Sequence, residues 1–266
     1  MYPDLSWFQE EVLAYREMLR KLLGVTSKTF VNTQLLYIER IGHILAEMGF
    51  KCQIAEGSRN LVIGREPVHV FENHLPTLLR HINLSEDLEL RFSKKDWGGY
   101  PLTPEKFADW ISTMEGDVLT LYFNYMDLCA HYEKTRSIVD FIRDLPGALK
   151  TRGINMLTPV DAIEKFTPLK LPALKSEQTI RYGMHNIVGN YAQQLCLKEL
   201  VRVGEDLSEL KGSKHYWRLK QLFGYLQQVE IFFSMNPDSI RDGYERTVNY
   251  FSILSDFKRA VLEERT

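Results

Sequence analysis

Thr29-Phe30-Val31-Asn32, then apolar residues at Leu35, Ile38, Ile41 and Leu45 closed by Gly49, then Lys51-Cys52-Gln53-Ile54-Ala55, form the stretch that decides the fold. The first and last segments are β-rich. The middle one repeats at helical spacing and ends on a glycine placed to close a helix. Strand, helix and strand over so few residues read as a βαβ unit, which implies a parallel sheet. Val68 to Phe71 reads as one more short strand, with Pro67 marking its start. His69, His74 and His81 fall in what reads as a loop region.

Working outward, Val12, Tyr15, Leu19 and Leu22 predict a first helix ending at Gly24. Thr103-Pro104 is an N-cap followed by proline at the first helical position, and Phe107, Trp110, Ile111 and Met114 supply the apolar stripe. Val118 to Asn124 is a nearly continuous apolar and aromatic run, as in a strand buried on both faces. A helix through Ile138, Phe141, Ile142 and Leu145 is expected to stop at Pro146-Gly147, and Thr158-Pro159 opens a short one. Pro168 to Pro172 reads as a connector. Beyond it the pattern gives only helices: about 177–203, about 215–233, and a last one after Asn236-Pro237. The expected organisation is an α/β domain over residues 1–170 and a helical domain over 171–266.

Composition narrows the function classes. Of 266 residues, 33 are Lys or Arg and 35 Asp or Glu, a formal charge of −2. That balance leaves no electrostatic footprint for nucleic acid or an anionic membrane. No apolar run approaches the roughly 18 to 20 residues of a membrane span. The first residues lack the basic and apolar regions of a signal peptide. Cys52, Cys129 and Cys196 match no zinc or disulfide framework and fit a reducing cytoplasm. The histidines show no metal-ligand spacing on one helix face, and there is no glycine-rich phosphate loop or nucleophile elbow. Neither metal nor cofactor is expected.

Several strings resemble glycoside hydrolase family 57, the α-amylases and 4-α-glucanotransferases. They are Phe30-Val31-Asn32-Thr33-Gln34-Leu35-Leu36-Tyr37, Leu90-Arg91-Phe92-Ser93, Tyr100-Pro101-Leu102-Thr103, Gly116-Asp117-Val118, Tyr122-Phe123-Asn124-Tyr125, His131, Asp144-Leu145-Pro146-Gly147, and Asn249 to Phe257. Their order and spacing follow the family from about residue 5 to the C-terminus. The resemblance implies a distorted, seven-stranded parallel barrel followed by a helical bundle. Gly189-Asn190 resembles a family string in the bundle helix that reaches substrate, but Tyr182, Gly183 and His185 stand where the family has a tryptophan and acidic residues.

Two departures shape the functional expectation. The family barrel begins well before the region matching residue 5, so this chain reads as an incomplete (β/α) barrel plus bundle. The strand near Thr29 to Asn32 would then present an open edge, and a protein partner or self-association is expected to cover it. Second, the family nucleophile is a glutamate in an Asn-Thr-Glu-Leu string, where this chain has Asn32-Thr33-Gln34-Leu35. The family acid/base is an aspartate, where this chain has Asn124 in Tyr122-Phe123-Asn124-Tyr125. An amide neither forms a glycosyl ester at a useful rate nor cycles a proton at neutral pH. It still hydrogen-bonds a sugar hydroxyl. Met126, Leu128, Cys129 and Ala130 have drifted from the family pattern as well.

The expectation is therefore a non-catalytic binding or assembly subunit, with residual α-glucan binding. The alternative is an active hydrolase or transferase using substitute or partner-supplied carboxylates. Candidate sugar contacts are Gln34, Glu56, Trp97, Asn124, Asp127 and His131. Each has a plainer reading: loop amide, cap, packing tryptophan, solvated carboxylate, or histidine bonded to backbone.

Overall fold

The computed structural model of the chain describes residues 5–62, 64–135, 137–171, 185–236 and 242–265. In chain order come α1 (Leu5–Leu23), β1 (Thr29–Val31), α2 (Glu39–Glu47), β2 (Cys52–Glu56), α3 (Arg59–Val62), β3 (Val70–Glu72) and β4 (Pro76–Arg80). Then follow α4 (Ile82–Glu86), a π-helical turn (Asp87–Arg91), α5 (Pro104–Ser112), α6 (Tyr125–Lys134), α7 (Ser137–Thr151), α8 (Pro159–Lys165) and β5 (Leu169–Lys170). The last helices are α9 (His185–Val188), α10 (Tyr191–Ser208), α11 (Tyr216–Leu226), α12 (Val229–Ser234) and α13 (Gly243–Glu264). The chain divides into two compact units, Ser27–Arg181 and Met1–Thr26 with Tyr182–Thr266.

The first unit is built on a five-stranded sheet in the order β1-β2-β4-β3-β5. The βαβ reading is met: β1 pairs parallel with β2, Thr29 opposite Cys52 and Val31 opposite Ile54, and α2 is the crossover. β2 pairs parallel with β4, β3 runs antiparallel to β4, and β5 runs parallel to β3. Both faces are covered, as a mostly parallel sheet requires. Ala55, Phe71 and Leu79 pack with Tyr37, Leu61, Val62 and Leu171 on one face. Val70 and Leu78 pack with Ile54, Val118, Ala162 and Phe166 on the other. A second core joins Leu88 and Phe92 to Phe107 of α5 and to Phe141, Leu145 and Leu149 of α7.

Several sequence expectations are corrected here. The central strand β4 lies inside the segment read as a loop. Pro76 occupies its first position, where a missing N–H is tolerated, and Leu78 and Leu79 bury opposite faces. Val118–Phe123 is not a buried strand; its one ladder contact is a parallel bridge from Thr120 to Arg80, and it is half-buried. α7 does not stop at Pro146 but continues to Thr151, because Ala148 and Leu149 gain burial beyond the proline. Pro168 to Pro172 contains the short strand β5. α2 starts only at Glu39. Before it, the Gln34 N–H donates to Asn32 Oδ1 at 2.9 Å, and Leu35 takes a φ of 51°, which a helix forbids.

Among its described residues the second unit has helices joined by turns and no strand. The first helix was read with the α/β part, but it groups with α9–α13. Trp7 explains this: it is fully buried, edge-on to Phe223 at 5.8 Å, and Phe223 stacks on Phe257 at 5.9 Å. The expected long helix over 177–203 is interrupted at Gly189-Asn190. Asn190 caps α10 by accepting from the Gln193 N–H at 2.8 Å, and the Gln193 side chain caps in return. Helix 215–233 is likewise split into α11 and α12. The start of the first of these helices, with Tyr182, Gly183 and Pro237, lies outside the described residues. Among the described residues no helix is long and apolar enough to cross a membrane.

His81 joins β4 to α4. Its Nδ1 accepts from the Leu84 N–H at 3.2 Å, and the ring is buried. Burial holds its pKa below the ordinary 6.5; Glu66 and Asp87 partly offset this, and Arg80 adds to it. A depressed histidine pKa means the unfolded chain takes up the proton first. Stability is therefore full above about pH 6.5 and falls as pH drops through the folded value. His81→Asn keeps a capping side chain and removes the titration. Its melting temperature is expected to drop less than the wild type's between about pH 7.5 and 5.5 in a thermal scan.

Candidate functional site

The sheet gathers polar side chains at the carboxyl ends of β1, β2 and β4, where parallel α/β folds place their sites. The centre is Arg80, the last residue of β4, whose side chain is 2% exposed. Its Nε donates to the Tyr122 carbonyl at 2.8 Å. Its Nη1 faces both carboxylate oxygens of Glu56 at 3.3 Å, and its Nη2 donates to Glu89 Oε2 at 2.7 Å. Two buried carboxylates thus share one buried guanidinium, whose fork suits bidentate pairing.

Glu56 ends β2 and is followed by Gly57. The glycine is required there, because a Cβ would lie 2.2 Å from the Arg80 carbonyl oxygen. Glu89 comes from the π-helical turn, a geometry common at functional sites. It reaches three ways. Its carboxylate takes Arg80, its Oε1 accepts the Asn124 N–H at 3.0 Å, and its carbonyl accepts from His131 Nε2 at 2.8 Å. A carbonyl only accepts, so Nε2 donates, and His131 Nδ1 pairs with Ser93 Oγ at 2.8 Å.

Gln34 sits half-buried in the turn after β1. That turn is anchored on β2 by the Glu56 N–H, which donates to the Leu35 carbonyl at 3.0 Å. Tyr122 ties the two candidate segments together. Its hydroxyl reaches the Thr33 carbonyl at 3.4 Å, and its N–H donates to Ser85 Oγ at 3.2 Å. Asn124 is exposed and caps α6, its Oδ1 accepting the Met126 N–H at 3.0 Å. Asp127 lies half-buried in the first turn of α6.

The structure thus links the Gln34 turn, Glu56, Asn124 and His131 through one hydrogen-bonded network. It does not bring Trp97 into that network. Trp97 is half-buried and packs edge-on to Trp110 of α5 at 6.1 Å. Arg80, Glu89 and Tyr122 were missed by sequence reasoning. Arg80 had one usable signal, a lone basic residue closing the apolar run Leu75–Leu79. Two cavities of about 330 and 340 Å³ lie elsewhere, beside Val118, Leu119 and Ile154, and none of the six candidates lines them. Among the described residues no three of His, Cys, Asp and Glu converge to hold a metal ion.

The first unit is thus a mostly parallel α/β sheet with a polar network at its strand ends. The sequence profile described as Glycosyl hydrolase family 57 matches residues 1–175, and the chain belongs to that family. It is 25% identical over 280 residues to a protein of Methanocaldococcus jannaschii named "Putative alpha-amylase". That alignment takes in 96% of this chain and 60% of the relative's length.

Proposed function

We propose that this family 57 protein is non-catalytic and works by binding, as a binding or assembly subunit that retains weak α-glucan affinity. One observation carries the reading. The positions that the family resemblance assigns to nucleophile and acid/base hold the amides Gln34 and Asn124, and the two glutamates beside them, Glu56 and Glu89, are already committed. Glu56 and Glu89 are buried against Arg80, where they hold strand ends together rather than face solvent. A retaining glycosidase needs two carboxyl groups about 5 to 5.5 Å apart, flanking the bond to be cut. Asn124 spends its side-chain oxygen on the cap of α6.

In this reading the open sheet and the Arg80–Thr120 bridge belong to the distorted family barrel, and α9–α13 to its bundle. β1 lies at the sheet edge with Val31 exposed. Edge strands of this kind are covered in stable proteins, which supports a protein partner or a second copy of the chain at that edge. The three free cysteines support a cytoplasmic setting.

The second reading is an active α-amylase-type hydrolase or transferase. Asp127 favours it, as a half-buried carboxylate one helical turn from Asn124. The experiment that separates the two is turnover of maltoheptaose by a purified preparation whose mass has been measured by light scattering. The proposal expects no turnover.

A further inference from the structure

The helical unit carries a groove that the network around Arg80 does not use. It runs between α1 and α11, with a volume of about 650 Å³, within the range of small-ligand sites. Two aromatic rings stand on its rim, Trp217 at 72% and Tyr225 at 58% exposure. They lie eight residues apart on α11 with Gln221 midway, so all three share one face of the helix. The rings are separated by about 12 Å along the helix axis. That spacing suits an extended oligomer rather than a single small ring.

The Trp217 end is held in place. Lys220 lies 5.4 Å from the Trp217 ring centroid and 4.9 Å from that of buried Trp7, and it pairs with Glu10. The floor is low, because Ala14 and Gly224 line it and a Cβ at Gly224 would point into open space. Among the described residues, no aliphatic side chain larger than alanine lines the groove. Its other walls are the carboxylate of Glu11 and the amides of Gln221 and Gln228. Trp and Tyr anchor protein interfaces as well, there within desolvated pockets, whereas Trp217 and Tyr225 stand on an exposed rim. Flat aromatic faces flanked by amides and a carboxylate match a ligand with apolar ring faces and equatorial hydroxyls.

We infer that this groove is a saccharide-binding site for a short α-glucan chain, with Trp217 and Tyr225 stacking on separate sugar units and Gln221 bonding between them. The inference rests on the reading of the protein as a glucan binder and adds a second place of binding, on a different unit from Gln34 and Asn124.

The test titrates maltoheptaose into the full chain, followed by tryptophan fluorescence and calorimetry. Trp217→Ala and Gly224→Leu are each expected to weaken binding about tenfold, with circular dichroism unchanged. Trp217→Phe is expected to recover most of the loss. The double variant Gln34→Ala/Asn124→Ala is expected to keep the groove's affinity. If that double variant abolishes binding while Trp217→Ala and Gly224→Leu leave it intact, the groove is overturned and the glucan-binding reading stands. If the wild type shows no maltoheptaose binding, both are overturned.

Discussion

Arg80→Met is expected to destabilise the sheet unit by about 3–5 kcal/mol, the cost of leaving buried carboxylates without their counter-charge. The side chains of Arg80, Glu56 and Glu89 are 2%, 6% and 1% exposed, so water cannot take over the role of the guanidinium. The change also removes the donor to the Tyr122 carbonyl, which holds the segment leading to Asn124. For a unit of this size the melting temperature should fall by roughly 10 °C or more. Adding Glu89→Leu should recover part of the loss, because one unpaired charge goes with it. A thermal scan of the single and double variants checks both statements. An Arg80→Met protein that melts with the wild type would mean that the ion pairs contribute nothing net.

Trp7→Ala is the second large effect expected. Trp7 is fully buried in the helical unit, against Phe223 and beneath the Lys220 ammonium. Removing the ring opens a cavity and should cost about 3–5 kcal/mol. The consequence is specific, since Trp7 and Phe8 are the buried residues of α1. α1 should come loose from α11 while the sheet unit keeps its own transition. Hydrogen exchange on residues 5–23 would show this as lost protection. Trp7→Phe should cost much less, because the buried indole N–H finds no acceptor among the described residues and its removal forfeits no hydrogen bond.

The parts of the fold legible in the sequence were those with local signals. The β1–α2–β2 unit followed from periodicity and the closing Gly49. The starts of α5 and α8 followed from Thr103-Pro104 and Thr158-Pro159, whose hydroxyls do cap their helices. What failed depended on distant partners. β4 looks like a loop because His74 and His81 bracket it and it opens on Pro76, and only pairing with β2 and β3 makes it a strand. Val118–Phe123 looks like a central strand because its side chains are apolar, yet it gains a single bridge. Pro146 looks like a helix stop until the burial of Leu149 is counted.

The site was legible to the same extent. Gln34 could be placed after β1 from its surroundings in the chain, but Asn124, expected at the end of a buried strand, instead caps α6 after a segment with a single bridge. The group that joins the two segments could not be placed. Arg80 is charged, and sequence patterning assigns charges to the surface unless a partner is known. Its partners lie 24 and 9 residues away, on different elements. Trp97, a candidate sugar contact with a plainer packing reading, packs edge-on to Trp110 at 6.1 Å, as a tryptophan that pins its loop would.

The measurement that bears most directly on the central claim is turnover. Purified chain, free of contaminating amylase, would be incubated with maltoheptaose and the products resolved by chromatography over a range of substrate concentrations. With amides at positions 34 and 124 and both neighbouring glutamates held by Arg80, the expected result is no shortening or lengthening of the oligosaccharide above the enzyme-free blank. Saturable turnover that disappears in Asp127→Asn would contradict the account and make this chain a working glycoside hydrolase with a relocated acid.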